Sequence, residues 1–145
     1  MSTRCQVQVR HGDEQITLYH HTDGYPSYML PLFGKAYELS GKGWQAGRVG
    51  KIASFLCAAD PGVFEPEEGA KLHGDIEWYY RIEPTGETHI GACPLWHITV
   101  YDVQGWGEAQ TLVKVGGRWT LADAVRMAEE IEAMADEAQV IVKPN

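Results

Sequence analysis

The opening of the chain, Cys5-Gln6-Val7-Gln8-Val9-Arg10, then His11-Gly12-Asp13-Glu14, then Gln15-Ile16-Thr17-Leu18-Tyr19-His20-His21, decides how the fold begins. Cys5, Val7 and Val9 fall on one side of an extended chain and Gln6, Gln8 and Arg10 on the other, the period of a half-buried strand. The second run puts Ile16, Leu18 and His20 opposite Thr17, Tyr19 and His21. Joined by a Gly-Asp turn, the two runs predict a β-hairpin that ends at Asp23-Gly24.

Beyond the hairpin the period changes. From Pro26 to Ser40, Leu32, Phe33, Ala36, Tyr37 and Leu39 recur at helical spacing, with Pro31 tolerable only near a first turn, and Gly41-Lys42-Gly43 stops the helix. A second helix is expected from Trp44 to Ala59, with Val49, Ile52, Ala53 and Leu56 as its apolar stripe and Asp60-Pro61-Gly62 as its end. Residues 61–70, with two prolines, two glycines, Glu65, Glu67 and Glu68, predict an exposed loop.

Strands return at Asp75 to Glu83, where Ile76, Trp78, Tyr80 and Ile82 alternate with Glu77, Tyr79 and Arg81. Pro84-Thr85-Gly86-Glu87 turns the chain toward a partner strand carrying Trp96, Ile98 and Val100, and Thr111 to Val115 extends the meander. Thr120 followed by Asp123 predicts a capped helix with Leu121, Ala124, Val125, Ala128, Ile131 and Ala135 on its apolar face. Gln139 to Val142 is expected to form a last edge strand before Pro144. The order lacks regular βαβ alternation, so the expected class is α+β: one domain over residues 1–145, a mostly antiparallel twisted sheet of five to six strands against two to three helices.

Composition limits function more than it names it. The chain has 145 residues with 44% hydrophobic and 22% charged side chains, an ordinary soluble domain able to fold without staples. Three widely spaced cysteines, Cys5, Cys57 and Cys93, suit reduced thiols and a cytoplasmic location, and no apolar run is long enough for export or a membrane span. Twelve Lys+Arg against 20 Asp+Glu give a formal charge of −8, which argues against direct nucleic-acid binding by phosphate attraction.

The most distinctive segment is Tyr19-His20-His21-Thr22-Asp23-Gly24-Tyr25-Pro26, a strand leading into a helix. Free backbone N–H groups at that helix start suit an anion or a carboxylate. The structural alternative has Asp23 capping the helix or turn and Tyr25 packing against the sheet. In this order the segment resembles a group of small phage and prophage proteins with an aromatic-x-His-x-Asp-Gly-Tyr-Pro stretch. Ile76-Glu77-Trp78-Tyr79-Tyr80-Arg81-Ile82 is similar to the aromatic strand of that group, so the resemblance covers about the first half of the chain. Ser27-Tyr28-Met29-Leu30-Pro31 departs from the group's glycine-containing helix start, and the C-terminal third has no counterpart. The group carries no assigned activity; what the resemblance implies is a mobile-element origin and a protein that binds and disables host machinery.

Motifs for chemistry are sparse. There is no Gly-x-Ser-x-Gly elbow and no Walker loop, and Gly47-Arg48-Val49-Gly50 follows a helix rather than a strand. His89, Cys93 and His97 share a face only if a strand runs through Gly91 and Pro94, so no metal and no cofactor is expected. Charge is more informative. Residues 60–87 hold Asp60, Glu65, Glu67, Glu68, Asp75, Glu77, Glu83 and Glu87 against Lys71 and Arg81, whereas residues 35–51 carry Lys35, Lys42, Arg48 and Lys51 against Glu38.

An acidic surface of this kind can occupy a basic groove in another protein, with fast, salt-sensitive association. The expected function is a non-enzymatic interaction protein, an inhibitor of a host defence nucleoprotein complex of the anti-CRISPR kind. Its partner-binding residues are Glu65, Glu67, Glu68, Asp75 and Glu77, with Tyr79 as exposed anchor, facing a basic host protein or nucleoprotein surface. The alternative is a small enzyme or ligand-binding domain with His21, Asp23 and Tyr25 as its site.

Overall fold

A computed structural model describes residues 3–68 and 71–142, with side-chain surroundings in the final helix given as far as Ala135. Six strands, β1 (Cys5–His11), β2 (Glu14–His20), β3 (Phe64–Glu67), β4 (Trp78–Pro84), β5 (Trp96–Gln104) and β6 (Thr111–Thr120), form one sheet in the order β3-β2-β1-β4-β5-β6. All neighbours are antiparallel except β1 and β4. The helices are α1 (Pro26–Leu39), α2 (Val49–Ala59), α3 (Leu121–Arg126) and α4 (Ala128–Val142). The α+β class follows. Among the described residues no helix is long and apolar enough to cross a membrane.

The predicted hairpin forms in register, Cys5 opposite His20 and His11 opposite Glu14, through a two-residue turn in which Gly12 takes φ 59, as primed hairpin turns require. Its alternation sorts the two faces. Cys5, Val7, Val9, Leu18, Trp78, Tyr80, Ile82, Trp96, Ile98 and Val100 join Met29, Leu30, Phe33, Ile52, Leu56 and Ile131 in the main core. The opposite face carries two ladders across the sheet: Glu65-Tyr19-Gln6-Tyr79-Tyr101-Lys114 and Glu67-Thr17-Gln8-Arg81-Thr99-Arg118.

Four expectations are corrected. The stretch 61–70 is not simply a loop, because Phe64–Glu67 pairs with β2 and becomes the sheet edge. The helix expected from Trp44 begins as a 3-10 turn, Trp44–Gly47, and α2 starts only at Val49. Thr120 accepts from the Asp123 N–H as predicted, but the helix it caps breaks at Met127 into α3 and α4. Gln139 to Val142 is helical, since α4 runs to Val142, and Pro144 lies outside the described residues.

The entry to α1 is built by the distinctive motif. Asp23 adopts a left-handed φ of 51, Tyr25 is the N-cap without a side-chain cap bond, and Pro26 takes the first helical position. Asp23 therefore does not cap the helix; its Oδ1 accepts the Tyr25 hydroxyl at 3.1 Å. The carboxylate expected at this helix start comes from within the chain: Glu132 Oε1 on α4 accepts both the Ser27 N–H, at 3.0 Å, and the Ser27 hydroxyl, at 2.9 Å. Pro31 sits inside α1, one turn deeper than the sequence rule favours, on an exposed position.

Candidate functional site

Three of the acidic residues singled out in the sequence, Glu65, Glu67 and Asp75, meet at one end of the sheet. β3 is the edge strand, and its alternation sends Phe64 inward against the His20 ring, with centroids 4.7 Å apart, and puts Glu65 and Glu67 on the face away from the helices. The segment after it crosses back over that face. Gln6, fully buried, holds it from below: its Nε2 donates to the Lys71 carbonyl and its Oε1 accepts from the His73 N–H, each at 3.1 Å. The Glu77 N–H then donates to the Arg4 carbonyl and the Val103 N–H to the Glu77 carbonyl. Asp75 thereby arrives beside Glu67, both against the His73 ring, while Glu77 lies where β4 meets β1 and β5, three strands from β3.

Tyr19 is the hub of this corner. Its ring stacks on His73 with centroids 4.3 Å apart and meets the edge of His21 at 4.6 Å, and its hydroxyl donates to Asp75 Oδ2 at 2.9 Å. Each neighbouring carboxylate has a cationic or imidazole partner: His21 with Glu65 at 3.4 Å, His73 with Glu67 and, at 3.8 Å, with Asp75, and Arg4 with Asp75 at 3.6 Å. Glu68 and Glu77 are exposed. Glu65, Glu67 and Asp75 are thus gathered around Tyr19, His21 and His73, each partly offset by a neighbour.

Burial pushes the Tyr19 hydroxyl up to about 12, helped by its bond to Asp75 and the charges of Asp75 and Glu67 and opposed by Arg4. A phenol raised above its unfolded value near 10 stays protonated in the folded chain after it has ionised in the unfolded one. Its contribution to stability is therefore intact below about pH 10 and is lost as pH rises toward about 12. Tyr19→Phe is expected to destabilise the protein at about pH 8 and to cost progressively less across that alkaline window, measured by urea titration at successive pH values.

Tyr79 does not serve as an exposed anchor. Strand parity puts it on the outer face as expected, but it is only 4% exposed, because Leu72 and Ile76 of the crossing segment pack with Tyr19, Tyr79 and Val103 into a second apolar cluster. Trp106, 77% exposed, stands on the turn after β5. Its turn is tied to the acidic segment: Gln110 Nε2 donates to the His73 carbonyl at 2.8 Å, and a Cβ on Gly74 would lie 3.6 Å from the Gly107 Cα. In the sequence Trp106 stands between Gly105 and Gly107, the signature of a turn.

The alternative residues are brought together only in part. Asp23 and Tyr25 bond to each other, which holds the Tyr25 hydroxyl above its ordinary range, while His21 turns to Glu65 instead. Tyr25 also packs against the main core. His89, Cys93 and His97 are not on one continuous strand, since no strand runs between Pro84 and Trp96. Among the described residues, no group of three or more His, Cys, Asp or Glu side chains is arranged to hold a metal ion. Cys5, Cys57 and Cys93 are free thiols, and burial raises the first two. Comparison of the chain with protein-family models, curated proteins and solved structures gives no match.

Proposed function

We propose that this chain is a non-enzymatic interaction protein of mobile-element origin whose acidic sheet end docks on a basic surface of a host protein or nucleoprotein complex and blocks it. The observation that carries the proposal is the cluster of Glu65, Glu67 and Asp75 at the β3 edge and the segment crossing from it, which also carries exposed Glu68 and Glu77, with Trp106 exposed on the turn tied to that segment. Carboxylates already fixed by Tyr19, His21 and His73 lose little side-chain freedom on binding, and a pre-organised negative field raises the association rate toward a positive partner. An exposed tryptophan next to such a field supplies the apolar contact that charge alone does not.

The test is a pull-down from host lysate with the full chain at low and high salt, followed by affinity measurement on the partner recovered. Glu65→Lys, Glu68→Lys and Glu77→Lys combined are expected to abolish a salt-sensitive interaction, and Trp106→Ala alone to cost about 2 kcal/mol of binding. A partner retained equally by the charge-reversed chain, or the absence of any salt-sensitive partner, overturns the proposal.

A further inference from the structure

A cavity of about 750 Å³ opens between α1, α3 and the start of β5, away from the acidic corner. Its walls are Pro31, Gly34 and Tyr37 on α1 and Leu121 and Val125 on α3, and Trp96 lines its base. The two helices touch at Gly34, where a Cβ would come within 3.1 Å of Val125 Cγ2. The volume lies in the range of small-molecule sites, roughly 300–1,000 Å³.

Three of the polar groups in this lining are already engaged, while His97 Nδ1 is buried without a hydrogen-bond partner among the described residues. The Tyr37 hydroxyl donates to the Pro94 carbonyl and the Trp96 indole N–H to the Ala46 carbonyl, each at 2.7 Å, and Thr120 Oγ1 accepts from the Asp123 N–H at 3.2 Å. Around Trp96, Tyr37, Leu121 and Val125 the lining therefore offers mainly aromatic and aliphatic surface, which suits an apolar ligand body. Charge is confined to Lys42, Arg126 and Glu38, two cations against one acid in a chain whose formal charge is −8. Both cations are tied only into exposed local pairs, Lys42 with Glu38 at 3.0 Å and Arg126 with Asp123 at 3.1 Å. Exposed pairs of this kind are weak and are readily exchanged for another anion.

We propose that this cavity is a binding site for a single-chain apolar molecule with one anionic head, of the class of a medium-chain aliphatic carboxylate. The chain lies along Trp96, Tyr37, Leu121 and Val125, and the carboxylate takes hydrogen bonds from Lys42 and Arg126 at the mouth. The site is independent of the acidic corner.

Calorimetric titration of the full chain with decanoate and with decyltrimethylammonium tests it. Saturable one-to-one binding of decanoate is expected, about tenfold or more tighter than the cation of equal chain length. Ala122→Trp, at an exposed position in the cavity wall, should abolish it, and Lys42→Gln with Arg126→Gln should bring the two ligands to similar affinity. Circular dichroism checks that both variants fold. No saturable binding of decanoate to the parent chain, equal binding of the two head groups, or unaltered binding in a folded Ala122→Trp chain overturns the proposal.

Discussion

Gly24→Ala is expected to lower the stability of the folded chain by about 3 kcal/mol, although alanine is the mildest side chain that can be added. Gly24 is not in the left-handed region, so backbone freedom is not what the position requires. Space is what it requires. A Cβ there would lie 2.8 Å from Cys5 Cβ and 2.9 Å from both the Arg4 carbonyl carbon and the Cys5 nitrogen, two of them backbone atoms. That backbone is fixed on its other side by the Glu77 N–H bond to the Arg4 carbonyl and by the parallel pairing of Cys5 with Trp78. Gly24 also donates to the Thr3 carbonyl at 2.8 Å and accepts the hydroxyl of fully buried Tyr80 at 2.7 Å. Moving it to relieve the clash weakens that buried bond as well. Overpacking costs roughly 1–3 kcal/mol and an unmet buried partner about as much again. Urea titration followed by circular dichroism measures the sum. Asp23→Gly is the control: at φ 51 it relaxes the backbone and removes only an exposed bond to Tyr25, so a change within about 0.5 kcal/mol is expected. A Gly24→Ala chain as stable as its parent would show that the Asp-Gly step is not the close-packed hinge described.

That hinge gives the most recognisable motif of the sequence a structural role. Asp23 supplies the turn, Gly24 lets it press against β1, Tyr25 ends it and Pro26 starts the helix. The hairpin before it and the helix after it were legible because their apolar periods, two and then 3.6, are local properties of the chain. What was not legible depended on distant contacts. β3 has the composition of a loop, with Pro66 between two glutamates, and becomes a strand because β2 offers it an open edge and Phe64 reaches His20. Val140, Ile141 and Val142 have the residue types of a strand, yet α4 continues through them, since each helical residue adds a bond without needing a partner edge. Tyr79 was assigned to the right face and the wrong environment, because strand parity says nothing about a segment crossing above it. The acidic run was visible as composition; its assembly at one edge required β3 and the tie through Gln6.

The same dependence on distant partners makes Asp60→Ala the second large effect, also about 3 kcal/mol. Asp60 is the C-cap of α2, and in the sequence it looks like a stop signal alone. In the fold its Oδ2 receives His20 Nε2 at 2.7 Å and the Tyr28 hydroxyl at 3.0 Å, joining β2, α1 and α2 at one carboxylate. His20 is fully buried, and its Nδ1 has no hydrogen-bond partner among the described residues. Removing Asp60 therefore leaves an imidazole with neither nitrogen bonded, and buried groups stranded in this way cost roughly 1–3 kcal/mol each. Asp60→Asn keeps an acceptor and is expected to cost about 1 kcal/mol. Replacing His20 by Phe in the Asp60→Ala background should recover part of the loss, a coupling of about 1 kcal/mol or more in a double-mutant cycle; strictly additive effects would refute the linkage. The consequence reaches the acidic corner. Asp60 lies four residues before Phe64, and the turn between them returns the Val63 carbonyl to the His21 N–H at 3.4 Å. Loosening the His20–Asp60 bond frees the start of β3, so hydrogen exchange across the β2–β3 pairing should quicken in Asp60→Ala more than exchange across β4 and β5. If the proposed docking depends on Glu65 and Glu67 being held in place, that variant binds more weakly while keeping every acidic residue of the surface.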